Sequence, residues 1–269
     1  MVMVTFLGES IHGVSEFTRF KLDWIRDADA PVVIFEADHI GLRRAYENEE
    51  SPIEAMENFP RIHRTREMLE LLEYVVEQGI PYYGADVIPR NQHGNFEGVL
   101  GEARERQLDA HRKIFASADF APPRDEYMAE VVAECIRAHA DRPVVGLFHN
   151  AHIKKHGSLE VGELKLPSVA EVLRDRHGYE SRGIGLFAKT GSTLHNNGTP
   201  FDFCIEDEDV IESLAGSGTE PRRIYDHTEM QNFTAYHHAV EKENLPVRLQ
   251  YDECIVFASV RTPSLLAKD

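Results

Sequence analysis

Two chemically capable side chains lie between the first two glycines of the sequence. Glu9 and His12 fall in the stretch from Gly8 to Gly13, directly after the first apolar run. A turn favours glycine, but it does not require a carboxylate or an imidazole. A neutral imidazole can take a proton from water near neutral pH when a carboxylate holds its tautomer. The stretch therefore predicts acid–base chemistry.

The same kinds of side chain follow three further apolar runs. FEAD supplies Glu36 and Asp38, GAD supplies Asp86, and HNAH supplies His149 and His152. Any one of them could be a helix cap or a turn residue. A solvated rim would favour Ser, Asn, Lys and Gly instead, so the combined set predicts an active site. Within it, Asp38 and Asp86 are candidate substrate-binding residues.

The apolar runs belong to a regular alternation of strands and helices. Near-continuous apolar strands alternate with amphipathic stretches, among them residues 61–79 and 124–140. This pattern predicts an α/β fold with a mainly parallel sheet flanked by helices. Right-handed crossovers place the carboxyl ends of the strands at one edge, where we expect a cleft. The predicted strands are Val2–Leu7, Pro31–Phe35, Ile80–Tyr83, Arg142–Phe148, Glu180–Phe187 and Cys254–Val260.

A lysine interrupts the apolar face of the helix predicted from about Ser15. Helical spacing puts Lys21 on the same face as Phe17 and Ile25, and Arg19 on the opposite face. A lysine in such a position either extends to solvent or reaches a polar cavity. Both alternatives remain open, and Lys21 is a third candidate substrate-binding residue.

Composition limits the classes of partner. The 269 residues carry a formal net charge of −17, which argues against nucleic acid and disfavours anionic membrane surfaces. No apolar run approaches the length of a membrane span, and the N-terminus lacks the pattern of a signal peptide. Three widely spaced cysteines are typical of reduced thiols. We expect a cytoplasmic protein with a small-molecule substrate, and the sequence leaves its oligomeric state open.

The sequence predicts a single α/β domain over residues 1–269, because it contains no repeat and no clear linker. Residues 206–246 are polar and lack long periodic runs, so we expect a lid or a surface excursion there. This segment contains the pair His237 and His238. No spacing supports a function for the pair, and we expect both histidines at the surface.

Several familiar catalytic motifs are missing. The sequence contains no G-x-S-x-G, and hence no serine nucleophile elbow, and no H-E-x-x-H or C-x-x-C. Residues 183–188 match G-x-G-x-x-A, but the glycines lie within an apolar strand instead of between a strand and a helix. We therefore expect no dinucleotide site.

Taken together, the motifs resemble those of the erythromycin esterase family, which includes succinoglycan-biosynthesis-like hydrolases. GESIHG, FEAD, GAD, RDEYMA and HNAHIKK occur in this order, and the resemblance continues into YDECIVF near the C-terminus. It implies an α/β core with a deep cleft. It also implies hydrolysis of a macrolide lactone ester without a serine nucleophile.

The resemblance assigns roles to five residues. It implies that His12 is the catalytic base that activates water, with Glu9 and Glu36 as neighbouring carboxylates. It matches the paired histidines of the family to His149 and His152.

One position departs from the family pattern. A family arginine in the first helix falls at Lys21, which keeps the charge but loses the planar guanidinium. Lys21 is either a working substitute or a sign that this member handles a different substrate group.

The chemistry of the residues favours a hydrolase that attacks an ester or lactone with activated water and needs no cofactor. Glu9 or Glu36 would orient His12. Donors to the developing oxyanion would come from His149, His152 or Lys21.

Three alternatives remain open. The first is a metal-dependent enzyme in which Glu9, His12, Glu36 and His152 hold a divalent ion. The second is a tailoring enzyme that catalyses cyclisation or elimination. The third is a non-catalytic protein that binds iron or haem.

Overall fold

Strands and helices alternate along the chain in the computed structural model, which describes residues 4–91, 94–195, 197–218 and 220–266. The strands are β1 (Val4–Leu7), β2 (Val32–Asp38), β3 (Tyr82–Asp86), β4 (Val144–Leu147), β5 (Ser181–Leu194), β6 (Pro200–Cys204), β7 (Arg222–Ile224), β8 (Tyr236–His237), β9 (Glu241–Lys242) and β10 (Glu253–Val260). The helices are α1 (Ser15–Asp27), α2 (His39–Glu47), α3 (Pro52–Ala55), α4 (Arg66–Glu77), α5 (Gly98–Phe115), α6 (Ala121–Ala138), α7 (Asn150–Ile153), α8 (Val169–Val172) and α9 (Val247–Gln250).

One large sheet organises the described part of the chain. Its strand order is β3-β2-β4-β1-β5-β10-β7, and the first six strands of this order are parallel. β7 pairs antiparallel with β10 at one edge, and β6 pairs antiparallel with the second half of β5. The predicted α/β fold with a mainly parallel sheet is confirmed.

All six predicted strands are present, with shifted ends. Val2 and Met3, which the sequence placed in the first strand, lie outside the described residues. β5 extends to Leu194, well beyond the predicted end at Phe187. The sequence did not predict β6 to β9, because these strands are short and carry no long apolar run.

Side chains alternate between the two faces of the sheet and build two apolar layers. Val32 and Ile34 of β2 belong to a buried cluster that includes residues of α6 and α8. Val33 and Phe35 belong to the opposite cluster, which includes residues of α1 and α4. The helices therefore cover both faces of the sheet.

The connections that follow β1 and β4 leave in opposite directions. β1 and β4 are neighbours, yet the chain passes from β1 through α1 to β2, and from β4 through α8 to β5 on the other side. Since α1 and α8 pack on opposite faces, a crevice opens at the carboxyl ends of β1 and β4.

Two predicted helices differ from the structure at their starts. Residues 61–63 form a separate 3-10 turn, and α4 begins only at Arg66, because the Thr65 hydroxyl accepts a hydrogen bond from the backbone N–H of Met68 at 3.1 Å. α6 begins three residues earlier than predicted, with prolines in its first turn.

The segment 206–246 contributes to the core as well as to the surface. It contains β7, the β8–β9 hairpin and two 3-10 turns, and its Ile211, Ile224 and Met230 are buried. Its role as a lid stays a prediction. Among the described residues, none of the helices has the combination of length and apolar character needed to span a bilayer.

Candidate active site

A cavity of about 570 Å³ opens at the carboxyl ends of β1, β2 and β4. Four of the residues singled out in the sequence line this cavity, namely His12, Glu36, His149 and His152. The other four, Glu9, Lys21, Asp38 and Asp86, are buried and do not line it.

The two glycines around the first motif allow its loop to fold tightly. A Cβ on Gly8 would lie 2.0 Å from Asn150 Oδ1, so a larger residue would displace the segment that carries the paired histidines. Gly13 has a φ of 69°, a conformation that favours glycine. The loop after β1 is therefore packed directly against the loop after β4.

A short hydrogen bond joins the first acid and the first imidazole. His12 Nδ1 lies 2.6 Å from Glu9 Oε1, so the ring donates its Nδ1 proton to the carboxylate. Within the described residues, no hydrogen bond to His12 Nε2 is found, and the ring lines the cavity. His12 Nε2 thus has no hydrogen-bond partner in the described part of the chain, while Glu9 fixes the orientation of the ring.

Lys21 reaches inward and forms an ion pair with Glu9 Oε2. It is 2% exposed, so the solvent-extended alternative is wrong. Burial acts to raise the pKa of Glu9, but the Lys21 ammonium and the His12 hydrogen bond outweigh it and hold that pKa well below its usual value. Lys21 keeps Glu9 charged, and we correct its predicted role in substrate binding, since its ammonium lies behind the cavity wall.

Glu36 is held by groups on two other elements. Its Oε1 accepts from Arg124 Nη2 at 2.9 Å, and its Oε2 accepts from the backbone N–H of His149 at 2.9 Å. Arg124 also donates from Nε to Asp86 Oδ1 at 3.0 Å and from Nη2 to Asp86 Oδ2 at 3.1 Å. Asp86 is fully buried by this contact, so its predicted substrate-binding role is corrected to the positioning of Arg124.

His152 lies between two carboxylates. Its Nδ1 is 2.8 Å from Asp125 Oδ2, and its Nε2 is 3.3 Å from Glu36 Oε1. Burial acts to lower the pKa of His152, but Asp125 and Glu36 raise it to about 10. At neutral pH this ring is an imidazolium, a fixed positive charge at the cavity wall.

Both ring nitrogens of His149, the other paired histidine, form hydrogen bonds with backbone groups. His149 Nε2 donates to the carbonyl of Ser10 at 3.1 Å, and Nδ1 accepts from the N–H of Ala151 at 3.1 Å. Burial holds the pKa of His149 well below its usual value. The neutral ring has neither a proton nor a lone pair left for chemistry, and it fixes the loop after β1 against the loop after β4.

Asp38, the third predicted substrate-binding residue, is also corrected. It is fully buried and accepts from Arg104 and Gln107 of α5, at 2.8 and 2.9 Å. It also caps α2 by accepting from the N–H of Gly41 at 3.0 Å. Its carboxylate accepts hydrogen bonds from buried protein groups and stabilises the fold.

The structure adds two histidines that the sequence placed at the surface. His237 and His238 line the cavity, so that expectation was wrong. The ring of His238 lies 4.4 Å from that of His149 and 5.5 Å from that of His12, centroid to centroid. Burial lowers the pKa of His237 to about 3 and that of His238 to about 4, so both are neutral at physiological pH.

Three further site residues had escaped the sequence reasoning. His63, in the 3-10 turn before α4, lies 3.8 Å from Glu9 Oε1, and burial lowers its pKa to about 4. Arg124 and Asp125 lie in the first turns of α6. RDEYMA carried a signal for these two, but for His63 the sequence offered none.

A buried lysine connects the cavity wall to the segment 206–246. Lys154 Nζ lies 3.2 Å from Glu160 Oε1 and 3.0 Å from Glu243 Oε1. Because Glu243 follows the β8–β9 hairpin, this ion pair ties the hairpin to the loop after β4.

The four residues that would hold a metal in the metal-dependent alternative lie in two separate ion-pair networks. In the described residues, Glu36 and His152 lie beside Arg124, whereas Glu9 and His12 lie beside Lys21. A cation next to each carboxylate opposes the binding of a second positive ion.

Two other groups of potential ligands occur within the described residues, each with its ligand atoms within 4.8 Å of one another. They are Glu9 with His12 and His63, and His149 with His237 and His238. The first group fits a metal poorly because Lys21 already neutralises Glu9. The second fits poorly because backbone groups occupy both nitrogens of His149.

A family model described as erythromycin esterase matches residues 101–250. The matched residues include RDEYMA and HNAHIKK, whereas GESIHG and FEAD precede them. No curated protein matches the chain.

Three solved structures resemble the whole fold. A mutant of the erythromycin esterase EreC in its open conformation has a TM-score of 0.70 and 16% identity, over 99% of this chain and 93% of that chain. A succinoglycan biosynthesis protein has a TM-score of 0.73 and 12% identity, over 98% and 90%. A protein from Bacillus cereus has a TM-score of 0.69 and 14% identity, over 99% and 90%. At these identities the likeness establishes the fold.

Proposed function

Since the chain belongs to the erythromycin esterase family, we propose that it is a hydrolase that cleaves an ester or lactone bond in a small molecule with water activated by His12. The observation that carries this proposal is the 2.6 Å contact between His12 Nδ1 and Glu9 Oε1 in a ring that also lines the cavity. A carboxylate on one ring nitrogen makes the other nitrogen the stronger base.

The same edge of the sheet offers a second carboxylate, but Glu36 is a weaker base than His12. Both of its oxygens accept hydrogen bonds, from Arg124 and from the N–H of His149. Burial acts to raise the pKa of Glu36, but His152 and Arg124 hold it well below the usual value. Glu36 therefore holds Arg124 and His152 in place, and Glu9 orients His12.

In the first step, His12 Nε2 takes a proton from water while the water oxygen attacks the carbonyl carbon. Glu9 stabilises the imidazolium that forms. The carbonyl oxygen becomes an oxyanion, for which Arg124 and protonated His152 are the available donors at the cavity wall. His149 and Lys21 are excluded as donors, because the single N–H of the neutral His149 ring donates to Ser10 and Lys21 does not line the cavity.

In the second step, the tetrahedral intermediate loses its alkoxide. The bond between the carbonyl carbon and the leaving oxygen breaks, and His12 returns its proton to that oxygen. The products are a carboxylic acid and an alcohol, or a ring-opened hydroxy acid from a lactone. Neither a covalent enzyme intermediate nor a cofactor is needed.

The cysteines support a cytoplasmic location for this activity. Cys135, Cys204 and Cys254 are free thiols, and Cys204 is exposed. An exposed free thiol is typical of a reducing compartment.

The test combines an ester and lactone panel with single turnover in ¹⁸O-labelled water. We expect the acid product to carry one ¹⁸O atom, the intact enzyme mass to stay unchanged during turnover, and the His12→Asn variant to lose the activity. An acyl-enzyme adduct, or full activity in the variant, would contradict the mechanism.

A metal-dependent hydrolase is the second candidate, because the nitrogens of His149, His237 and His238 lie within 4.8 Å of one another. It requires His149 to release a backbone hydrogen bond. Elemental analysis of the purified protein, and turnover after dialysis against a chelator, separate the two candidates. A stoichiometric metal together with chelator-sensitive turnover would favour this one.

A further inference from the structure

A second, apolar pocket opens beside the catalytic base. It has a volume of about 290 Å³ and shares His12 and His238 with the main cavity. Its other walls are largely aliphatic and aromatic, and include Ile11, Leu194, Phe201 and Val240. A bond placed at His12 can therefore extend into an apolar pocket on one side and into the polar cavity on the other.

Three of the cations that line the main cavity are already neutralised. Arg124 is paired with Asp86 and Glu36, and Lys154 is paired with two glutamates. His152 is paired with Asp125. These groups add little net charge to the cavity.

Two arginines in the cavity wall are less fully paired. Arg90 Nη2 lies 3.5 Å from Asp86 Oδ2, but both oxygens of Asp86 already accept shorter bonds from Arg124. Arg90 Nε is buried without a hydrogen bond in the described residues. Within the same residues, the exposed side chain of Arg61 makes neither a hydrogen bond nor an ion pair. The opposing acid at the mouth is Glu163, so positive charge is in excess.

We propose that the substrate of this hydrolase is an amphipathic carboxylate ester. Its apolar arm fills the pocket lined by Leu194 and Val240, and its own carboxylate binds Arg90 and Arg61. The inference rests on the proposed function, since it places the scissile bond at His12 between the two subsites. A guanidinium matches a carboxylate in shape and charge, and the side chain of Arg90 is 28% exposed.

The requirement for a carboxylate on the substrate is tested with two esters that differ only at the far end of the acyl chain. They are mono-4-nitrophenyl glutarate and 4-nitrophenyl pentanoate. We expect a higher kcat/KM for the glutarate, by about tenfold or more, the worth of a hydrogen bond to a charged group. Arg90→Met should abolish most of this preference, Arg90→Lys should retain part of it, and Arg61→Met should reduce it less. Arg66→Met, which changes an exposed arginine outside the cavity, is the matched control and should leave the ratio unchanged.

The apolar arm is tested by changing the alcohol. We expect monohexyl glutarate to be hydrolysed with a higher kcat/KM than monoethyl glutarate, measured by acid release. Val240→Trp should remove this difference, because a large ring fills the pocket from a residue that is 74% exposed and therefore tolerant of substitution. Val99→Trp is the control, since Val99 is 69% exposed and lies on α5, away from the pocket.

Binding separates failure of this inference from failure of the proposed function. Monohexyl glutarate and hexyl pentanoate are titrated into the His12→Asn protein by calorimetry. Tighter binding of the glutarate that Arg90→Met abolishes would support the inference even if no ester were hydrolysed. Hydrolysis or binding without a preference for the carboxylate would overturn the inference and leave the proposed function intact.

Discussion

The two sides of the main cavity differ in their polar groups: one side contains ion pairs, and the other contributes neutral histidine rings. The floor, formed by the loops after β1, β2 and β4, is built of ion pairs, such as Glu9 with Lys21 and Glu36 with Arg124. The roof, formed by the segment 206–246, contributes the neutral rings of His237 and His238. In the proposed mechanism, fixed charges next to the reacting atoms stabilise a charged transition state, and the neutral rings of His237 and His238 do not compete for them.

Two buried carboxyl groups make the contrast quantitative. Glu9 in the floor is 4% exposed and Glu212 in the roof is 1% exposed. Burial raises the pKa of Glu212 to about 8, because its Oε1 accepts only backbone bonds and its Oε2 has no hydrogen-bond partner in the described residues. Glu9, with Lys21 beside it, stays charged. Burial is alike in both, so the counter-ion decides whether a buried carboxyl is an ion or a neutral acid.

The largest effect should come from removing the base in the floor. We expect His12→Asn to lower kcat by about 10²- to 10⁴-fold, the usual worth of acid–base catalysis, with little change in the free energy of unfolding. His238→Asn removes a neighbouring ring of the roof and should cost far less. Steady-state kinetics and urea unfolding of both variants measure these effects. Equal losses of kcat would contradict the different roles of floor and roof.

Lys21→Met should remove the counter-ion of Glu9 in the floor. We expect a loss of about 3–5 kcal/mol in the free energy of unfolding, because the charge of Glu9 is left buried and unpaired. Adding Glu9→Gln should restore most of the stability and none of the activity, since the carboxylate that supports His12 is then gone. A single Lys21→Met variant as stable and active as the wild type would show that the pair does not matter.

Asp125→Asn should weaken the positive charge at His152. In the wild type, the pKa of His152 is raised to about 10, above the unfolded value near 6.5. Its contribution to stability is therefore fully present below about pH 6.5 and is lost as the pH rises through about 10. The variant should lose activity at a lower pH on the alkaline side, with about a tenfold difference near pH 9. Unchanged alkaline limbs in the two pH–rate profiles would exclude the imidazolium as a donor.

The smallest effect on catalysis should come from Glu212→Gln in the roof. The folded protein keeps the proton of Glu212 from about pH 4.5 to about 8, whereas the unfolded chain releases it near 4.5, so wild-type stability falls over this range as the pH rises. The glutamine has no proton to lose and can still accept from the N–H of Tyr236. We expect a gain of about 4 kcal/mol at pH 8 and none near pH 4.5, measured by urea unfolding. A pH-independent difference would contradict a neutral Glu212.

The sequence predicted the architecture and much of the floor because both depend on local periodicity. Apolar strands alternating with helices allow few folds, and parallel strands bring their carboxyl ends to one edge. That reasoning placed His12, Glu36, His149 and His152 at a common edge, and the four do line one cavity.

The sequence could not show which polar residues after these strands face the cavity and which are buried inside the protein. The pairing of β2 with β3 shifts register between Phe35 and Asp38, which re-aims the side chains there. Glu36 consequently faces the cavity, whereas Asp38 is buried against α5. A register shift depends on the neighbouring strand and leaves no trace in FEAD itself.

The roof was missed for a different reason. His238 and the next residue, Ala239, both have positive φ values, 53° and 57°, in the tight hairpin between β8 and β9. Neither is a glycine, so the sequence carries no turn signal there. The N–H of His238 bonds the carbonyl of Ser10 at 2.8 Å, a contact between the two ends of the fold that no local pattern encodes.

The hydrogen bonds that hold the floor and roof together also set the order in which the protein becomes functional. Glu36 and His149 are 113 positions apart in sequence, and Ser10 and His149 are 139 apart. Closing such long loops costs chain entropy that only the finished sheet offsets. The proposed catalytic constellation is therefore expected to form late in folding. A nascent chain whose roof has not yet been synthesised already contains His12, Glu9 and Lys21 and is expected to be inactive until the hairpin of His238 docks.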